Sequence, residues 1–131
     1  MNAVQVSDLQ LFYGSKHILR KVSFAVEQGD FFIIIGPNGT GKTTLLKAIA
    51  GLVPFTSGTV QILGRPVASY ARKEFSRQVA VVPQHVPAEF PFKVAETVLM
   101  GRSPHLKLWE VERREDHRIA EEAMRFTDIA H

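Results

Sequence analysis

Gly36-Pro37-Asn38-Gly39-Thr40-Gly41-Lys42-Thr43-Thr44 satisfies every position of the pattern G-x-x-x-x-G-K-[ST]. Three glycines in six residues let the backbone turn tightly enough for successive N–H groups to point inward as a nest for phosphate oxygens. Side chains with a Cβ would crowd that nest. Lys42 then supplies a positive charge to the β- and γ-phosphates of a nucleotide, and the Thr43 hydroxyl suits a Mg²⁺ that bridges them. Thr44 and the residues after it open a helix whose free N–H groups and positive dipole end face the same anion.

The flanks support this reading. Phe31-Phe32-Ile33-Ile34-Ile35 is a continuous apolar run, the pattern of a strand buried on both faces of a parallel sheet. Leu45, Leu46, Ala48, Ile49 and Ala50 continue as a helix that Gly51 closes. The bland alternative is a glycine-rich turn with an incidental lysine, and a strand before the loop with a helix after it argues against that.

The 131 residues suffice for one modest domain, and 45% hydrophobic content fits a globular class. No apolar run approaches the roughly 20 residues that span a bilayer, and Met1-Asn2-Ala3-Val4-Gln5 lacks the basic-then-apolar pattern of a secretion signal. A cytoplasmic chain is therefore expected, with any membrane association made through a partner. There is no cysteine, which excludes disulfides and thiolate metal sites. The net charge of +3 comes from 16 basic and 13 acidic residues spread along the chain. Its densest basic cluster, Arg113, Arg114 and Arg118, alternates with Glu110, Glu112, Glu115 and Asp116, so a solvated helix face is expected there and no nucleic-acid partner.

From the N-terminus, Val4, Val6, Leu9, Leu11 and Tyr13 predict a half-buried strand with a bulge near Ser7-Asp8. Gly14-Ser15 is a turn, and Val22, Phe24 and Val26 resume the alternation. An antiparallel layer is thus expected to precede a parallel α/β core. Pro54 and Ser57-Gly58 mark a loop, Thr59 to Leu63 a short strand ending at Gly64-Arg65-Pro66, and Ala71 to Arg77 one or two helical turns. Val79-Ala80-Val81-Val82 reads as a second buried strand, stopped by Pro83. That puts Gln84 just past the carboxyl end of a strand, where open α/β sheets take their ligands. His85 to Pro91 reads as a stiff loop and Val94 to Met100 as a helix closed by Gly101. A longer helix is expected from about Trp109 to Phe126, with Glu110 four residues before Arg114 and Glu121 four before Arg125. Ile119, Ala123, Met124 and Phe126 would form its apolar face.

With the phosphate loop, Tyr13 before it and Val82-Pro83-Gln84 after it, the whole chain resembles the N-terminal half of an ATP-binding cassette (ABC) transporter ATPase. The resemblance implies an α/β fold: a P-loop NTPase core with an N-terminal antiparallel β layer and the start of a helical subdomain, itself incomplete. It places the nucleotide-binding core at about 1–85 and the helical part at about 86–131. It makes ATP and Mg²⁺ the ligands, held by Gly36, Pro37, Asn38, Gly39, Thr40, Gly41, Lys42, Thr43 and Thr44, with Lys42 and Gln84 catalytic and Thr43 and Gln84 on the metal. Tyr13 matches the family's adenine-stacking aromatic. The alternatives are a packed strand aromatic, or Phe12 as the stacking ring. Gln84 matches the family glutamine that touches Mg²⁺ or the attacking water and senses the transmembrane subunit.

Phe90-Pro91-Phe92-Lys93-Val94, Thr97-Val98 and Met100-Gly101-Arg102-Ser103-Pro104-His105 resemble ATPases of importers for iron siderophores, haem and cobalamin. This implies permease subunits, a second copy of the ATPase and, indirectly, a solute-binding protein as partners, at the cytoplasmic face of the cell membrane. Zinc or manganese uptake is the alternative cargo. His105 has no second ligand at i+3 or i+4 and is expected to be structural. No apolar run ends in Asp at Asp8, Asp30, Asp116 or Asp128, and the family's signature loop and switch histidine have no match. The 131 residues alone are therefore expected to bind nucleotide without turnover. A GTPase or small-molecule kinase is disfavoured, since neither Asn2 nor Asn38 opens the guanine-reading Asn-Lys-x-Asp.

Overall fold

The computed structural model describes residues 1–85 and 91–130, so the stiff loop expected over His85 to Pro91 lies almost wholly outside the described residues, as does Phe90. The chain divides into two compact units, Met1–Ala71 and Arg72–His131.

The first unit is built on an antiparallel sheet of order β2-β1-β3-β4, with β1 Asn2–Tyr13, β2 Lys16–Glu27, β3 Ser57–Ile62 and β4 Arg65–Pro66. β1 and β2 form a hairpin across Gly14-Ser15, with Tyr13 opposite Lys16. β3 and β4 turn through Leu63 and Gly64, both at positive φ (50° and 78°), the conformation of a two-residue type I′ hairpin. The expected bulge is present. Asp8 sits at φ 47°, and the register shifts between Val6 and Leu9 against β2 and between Ser7 and Gln10 against β3. The extra residue is what lets Val6 and Leu9, three apart, both be fully buried on one face. Gly58 lies so close to the bulge that a Cβ there would stand 2.4 Å from the Asp8 carbonyl oxygen.

Helix α1, Lys42–Ile49, covers that face. Its Leu45 and Ala48 join Val6, Leu9, Leu11, Leu19 and Val60 in the core, and each fully buried Leu or Val contributes about 1.5–3 kcal/mol. Gly51 ends the helix as expected. At φ 69° it donates to the Ala48 carbonyl (3.1 Å) while Leu52 donates to Lys47 (2.8 Å), the paired bonds of a Schellman motif.

The expected strand Phe31 to Ile35 is not found: among the described residues nothing pairs with its backbone. One side of it packs on the antiparallel layer, where Phe32 stacks on Phe24 (ring centroids 5.2 Å apart) and Ile34 lies against the core. Phe31 and Ile35, on the other side, are almost fully exposed. A continuous apolar run predicts burial on two faces. A strand also needs a neighbour for its N–H and C=O groups, and none of the described residues supplies one. The same correction applies to Val79 to Val82, which is no strand and leaves Val81 and Val82 exposed.

The second unit holds α2 Arg72–Gln78, α3 Val94–Met100, a 3-10 turn Ser103–His105 and α4 Arg114–Phe126. Arg77 Nε donates to the Pro104 carbonyl (2.6 Å), joining α2 to the 3-10 turn. Gly101 closes α3 in right-handed geometry (φ −61°) rather than the left-handed cap of Gly51. The last helix begins at Arg114, five residues later than the sequence predicts. Asp116 sets that start, because its buried carboxylate accepts from the Arg113 N–H (2.9 Å) and from Arg102 Nε (2.8 Å). These bonds, the backbone one foremost, hold its carboxyl below the ordinary aspartate range. Ahead of the helix, Glu110 accepts from the Lys107 N–H (2.7 Å) and pairs with Arg113, not with Arg114. This closes a turn that projects Leu108 and Trp109 outward, with Trp109 at φ 66° and 93% exposed. Arg125 does pair with Glu121 (2.5 Å). Ala120 is the buried apolar residue of α4, while Phe126, expected on the apolar face, is 92% exposed.

Candidate functional site

Residues 36–44 form one continuous loop running into α1. Gly41, at φ 95° and ψ 11°, stands at the helix N-terminus without a side-chain cap, so the first N–H groups of α1 are left to an external partner. Lys42, the first helical residue, folds back across the loop: its Nζ donates to the carbonyls of Gly36 (2.5 Å) and Pro37 (2.6 Å). The Thr40 hydroxyl donates to the same Pro37 carbonyl (2.8 Å). The loop is thereby curled around an ammonium group. A Cβ on Gly36 would lie 3.2 Å from Thr40 Oγ1, a tight approach, and 3.8 Å from Lys42 Cδ, in ordinary van der Waals contact with the lysine stem. Pro37, Asn38, Gly39, Thr40 and Thr43 are exposed along this curl, and Thr44 is half-buried.

A cationic concavity bounded by helical N–H groups fits phosphate oxygens, and the exposed Thr43 hydroxyl fits a Mg²⁺ that prefers oxygen ligands and keeps some of its water. The residues present therefore suit a Mg²⁺-bound nucleoside triphosphate.

The loop is fixed to the sheet at one point the sequence did not reveal. A Cβ on Gly41 would meet Leu19 Cδ2 at 3.1 Å and both Ile18 Cγ2 and the Ile18 carbonyl oxygen at 3.2 Å. Strand β2 thus lies directly beneath the turn into α1. In the same hairpin Leu11 is opposite Leu19 and Tyr13 opposite Lys16, so the exposed Tyr13 ring is carried about three strand residues, on the order of 10 Å, from this contact. Phe12, the alternative stacking aromatic, is already engaged: its ring lies parallel to that of His17, centroids 4.0 Å apart and 6° between planes.

Gln84 belongs to the second unit, at an exposed bend after the irregular Val79 to Val82 segment. His105 is exposed in the 3-10 turn, and desolvation together with the positive charges of Arg102 and Arg77 lowers its imidazole below the usual histidine range. Among the described residues no group of three or more His, Asp or Glu side chains is placed to hold a metal ion.

Residues 19–131 match the sequence profile described as ABC transporter. Over 114 residues the chain is 41% identical to a hemin import ATP-binding protein of Gloeobacter violaceus, covering 87% of this chain and 41% of that one. Over 101 residues it is 48% identical to the zinc transport system ATP-binding protein of Treponema pallidum, covering 76% and 36%. It therefore spans less than half the length of these relatives. A solved ATP-binding cassette of an ABC transporter superposes with a TM-score of 0.80 at 26% identity, over 100% of this chain and 56% of that one. The α/β fold is accordingly that of a P-loop ABC ATPase domain, of which these residues form a part. A phosphate loop curled around its lysine, joined to an antiparallel layer and matched from residue 19 onward, makes the chain a member of the ABC transporter family.

Proposed function

We propose that the chain is the nucleotide-binding first part of an ABC transporter ATPase subunit, which couples ATP binding and hydrolysis to solute uptake. The observation that carries this reading is the loop itself: Lys42 Nζ held across the carbonyls of Gly36 and Pro37 at the open N-terminus of α1. Gly36 to Thr44 hold the triphosphate, Tyr13 stacks on adenine, and Thr43 and Gln84 are the residues for Mg²⁺. The metal, when bound, neutralises charge on the phosphates. Lys42 moves its hydrogen bonds from the loop carbonyls to phosphate oxygens, and Gln84 orients the attacking water. Positioning and charge stabilisation of this kind are the main protein contributions to phosphoryl transfer. Residues 1–131 are read as one stretch of a single ATPase domain, with the helical subdomain beginning near residue 86.

The partners in this reading are membrane permease subunits, a second ATPase copy and, indirectly, a solute-binding protein, with the ATPase at the cytoplasmic face of the membrane. No helix among the described residues is long and apolar enough to cross a membrane itself. An iron chelate, haem or cobalamin is the proposed cargo, supported by the sequence resemblance over Phe90 to His105 and by the hemin-import relative. The zinc-system relative favours a second reading, uptake of zinc or manganese. A third is a nucleotide-binding piece without turnover.

Calorimetric titration of ATP into wild type and Lys42→Ala tests the nucleotide reading. The variant should bind about 1.5–3 kcal/mol more weakly, the range for hydrogen bonds to a charged group. An unchanged affinity in a folded Lys42→Ala protein would remove the phosphate loop from the proposal. For the cargo, deletion of the gene should abolish uptake of labelled ferric siderophore, haem or cobalamin. Normal uptake of all three with loss of zinc uptake would select the second reading.

A further inference from the structure

The end of the β1–β2 hairpin contains the last of four register shifts between these strands. Leu11 is opposite Leu19, but the next residue, Phe12, is opposite His17, so Ile18 is an extra residue in β2. Ile18 is also the residue whose carbonyl and Cγ2 lie against Gly41 at the mouth of the phosphate loop. A bulge re-aims the strand that carries it, and here it turns β2 backbone toward the loop. Beyond the bulge, the two strands are joined side to side by the parallel rings of Phe12 and His17. Tyr13 follows immediately. His17 Nε2 is buried and has no hydrogen-bond partner among the described residues, so that nitrogen neither donates nor accepts there, and the contact the ring makes with Phe12 is through its flat face.

We propose that His17 is a positioning residue: its stack on Phe12 clamps the Ile18 bulge and thereby sets the spacing between the Tyr13 ring and the phosphate loop. A nucleotide joins its base to its phosphates through a sugar of limited reach, so both ends are engaged together only when the two protein elements stand at a matching distance. Loosening the clamp misplaces the ring and costs the base contact, while the phosphate contacts remain. The inference rests on the reading of Tyr13 as the adenine-stacking ring.

The test compares ATP with inorganic tripolyphosphate, which engages the phosphate loop alone, by calorimetry on the purified full chain. His17→Ala and His17→Leu should weaken ATP about two- to tenfold, the scale of one aromatic stacking interaction. Tripolyphosphate binding should not change. His17→Phe keeps a flat ring and removes the unpartnered nitrogen, so it should restore ATP affinity. His17→Leu fills the space without a stacking ring and serves where the alanine variant does not fold. Equal losses for both ligands, no loss for either, or failure of His17→Phe to rescue would overturn the spacing role. Tyr13→Ala runs beside them. If it lowers ATP and tripolyphosphate affinity equally, the base-stacking reading fails and this inference falls with it. If it is base-selective and the His17 variants are not, only the role of His17 falls.

Discussion

Alanine at Gly41 and alanine at Gly39 should have different consequences, although both glycines belong to the phosphate loop and both sit at positive φ, 95° and 82°. Each substitution forces an L-residue into left-handed space, at about 1–2 kcal/mol. At Gly39 that is the whole effect, because a Cβ there meets nothing within 4 Å. At Gly41 the methyl group arrives 3.1 Å from Leu19 Cδ2 and 3.2 Å from Ile18 Cγ2 and the Ile18 carbonyl oxygen. The leucine methyl can rotate a little, but Leu19 is 3% exposed within the core, and the carbonyl belongs to a paired strand. Either the helix N-terminus shifts outward or the strand does, and overpacking of this kind costs about 1–3 kcal/mol. Gly41→Ala should therefore destabilise by roughly 2–5 kcal/mol in all, against about 1–2 for Gly39→Ala. Urea unfolding gives the stabilities, and ATP titration of the folded variants shows whether α1 has moved relative to the loop. A Gly41→Ala protein as stable as Gly39→Ala, with wild-type ATP affinity, would refute the claim that β2 sits directly under the loop.

Four further outcomes are expected. Tyr13→Ala should weaken ATP by about 0.5–1.5 kcal/mol and leave inorganic triphosphate nearly untouched in parallel titrations; equal losses would make the ring structural. Gly58→Ala should unfold at lower urea than any other single glycine variant of the sheet, since its Cβ meets the Asp8 backbone at 2.4 Å from a residue at φ 90°; an unchanged midpoint would deny the close approach at the bulge. Asp116 has a lowered folded-state value, so the stability it contributes is present above its unfolded value of about 4 and is lost as pH falls through the lower folded one. Asp116→Asn should flatten that acid limb in melting curves recorded from pH 5 down to pH 2. Finally, the isolated 131-residue chain should self-associate in sedimentation, and Phe31→Lys with Ile35→Lys should reduce this, because an unpaired apolar segment invites pairing with other chains; a monodisperse monomer would contradict it.

What could be read from sequence was what neighbouring residues decide among themselves. The bulge at Asp8 was legible because Val6 and Leu9 break the two-residue period, and the helix stop at Gly51 because only a left-handed residue completes that cap. The turn from Gly36 into α1 was legible for the same reason, its glycines and lysine being local to one another. The strand over Phe31 to Ile35 failed because apolarity reports how much surface a segment would bury, whereas strand pairing depends on residues far away in the chain. The early start given to α4 came from counting Glu110 with Arg114. In the structure Glu110 instead closes a turn on Lys107, and Asp116 caps the helix at Arg113. Neither the contact of Gly41 with Ile18 nor the Phe12–His17 stack leaves a sequence signal, since both arise from hairpin register.

The outward turn at Lys107 to Glu110 has a practical optical consequence. Trp109 is the chain's single tryptophan and is 93% exposed. Native protein should therefore emit like an indole in water, be readily quenched by acrylamide, and change little in colour on denaturation. Fluorescence melting would report almost no transition for a protein that is fully folded, so circular dichroism or calorimetry must follow unfolding. The same insensitivity makes the residue a clean reporter of docking. Any surface that covers this turn will shift its emission to the blue and protect it from quencher, without an added label.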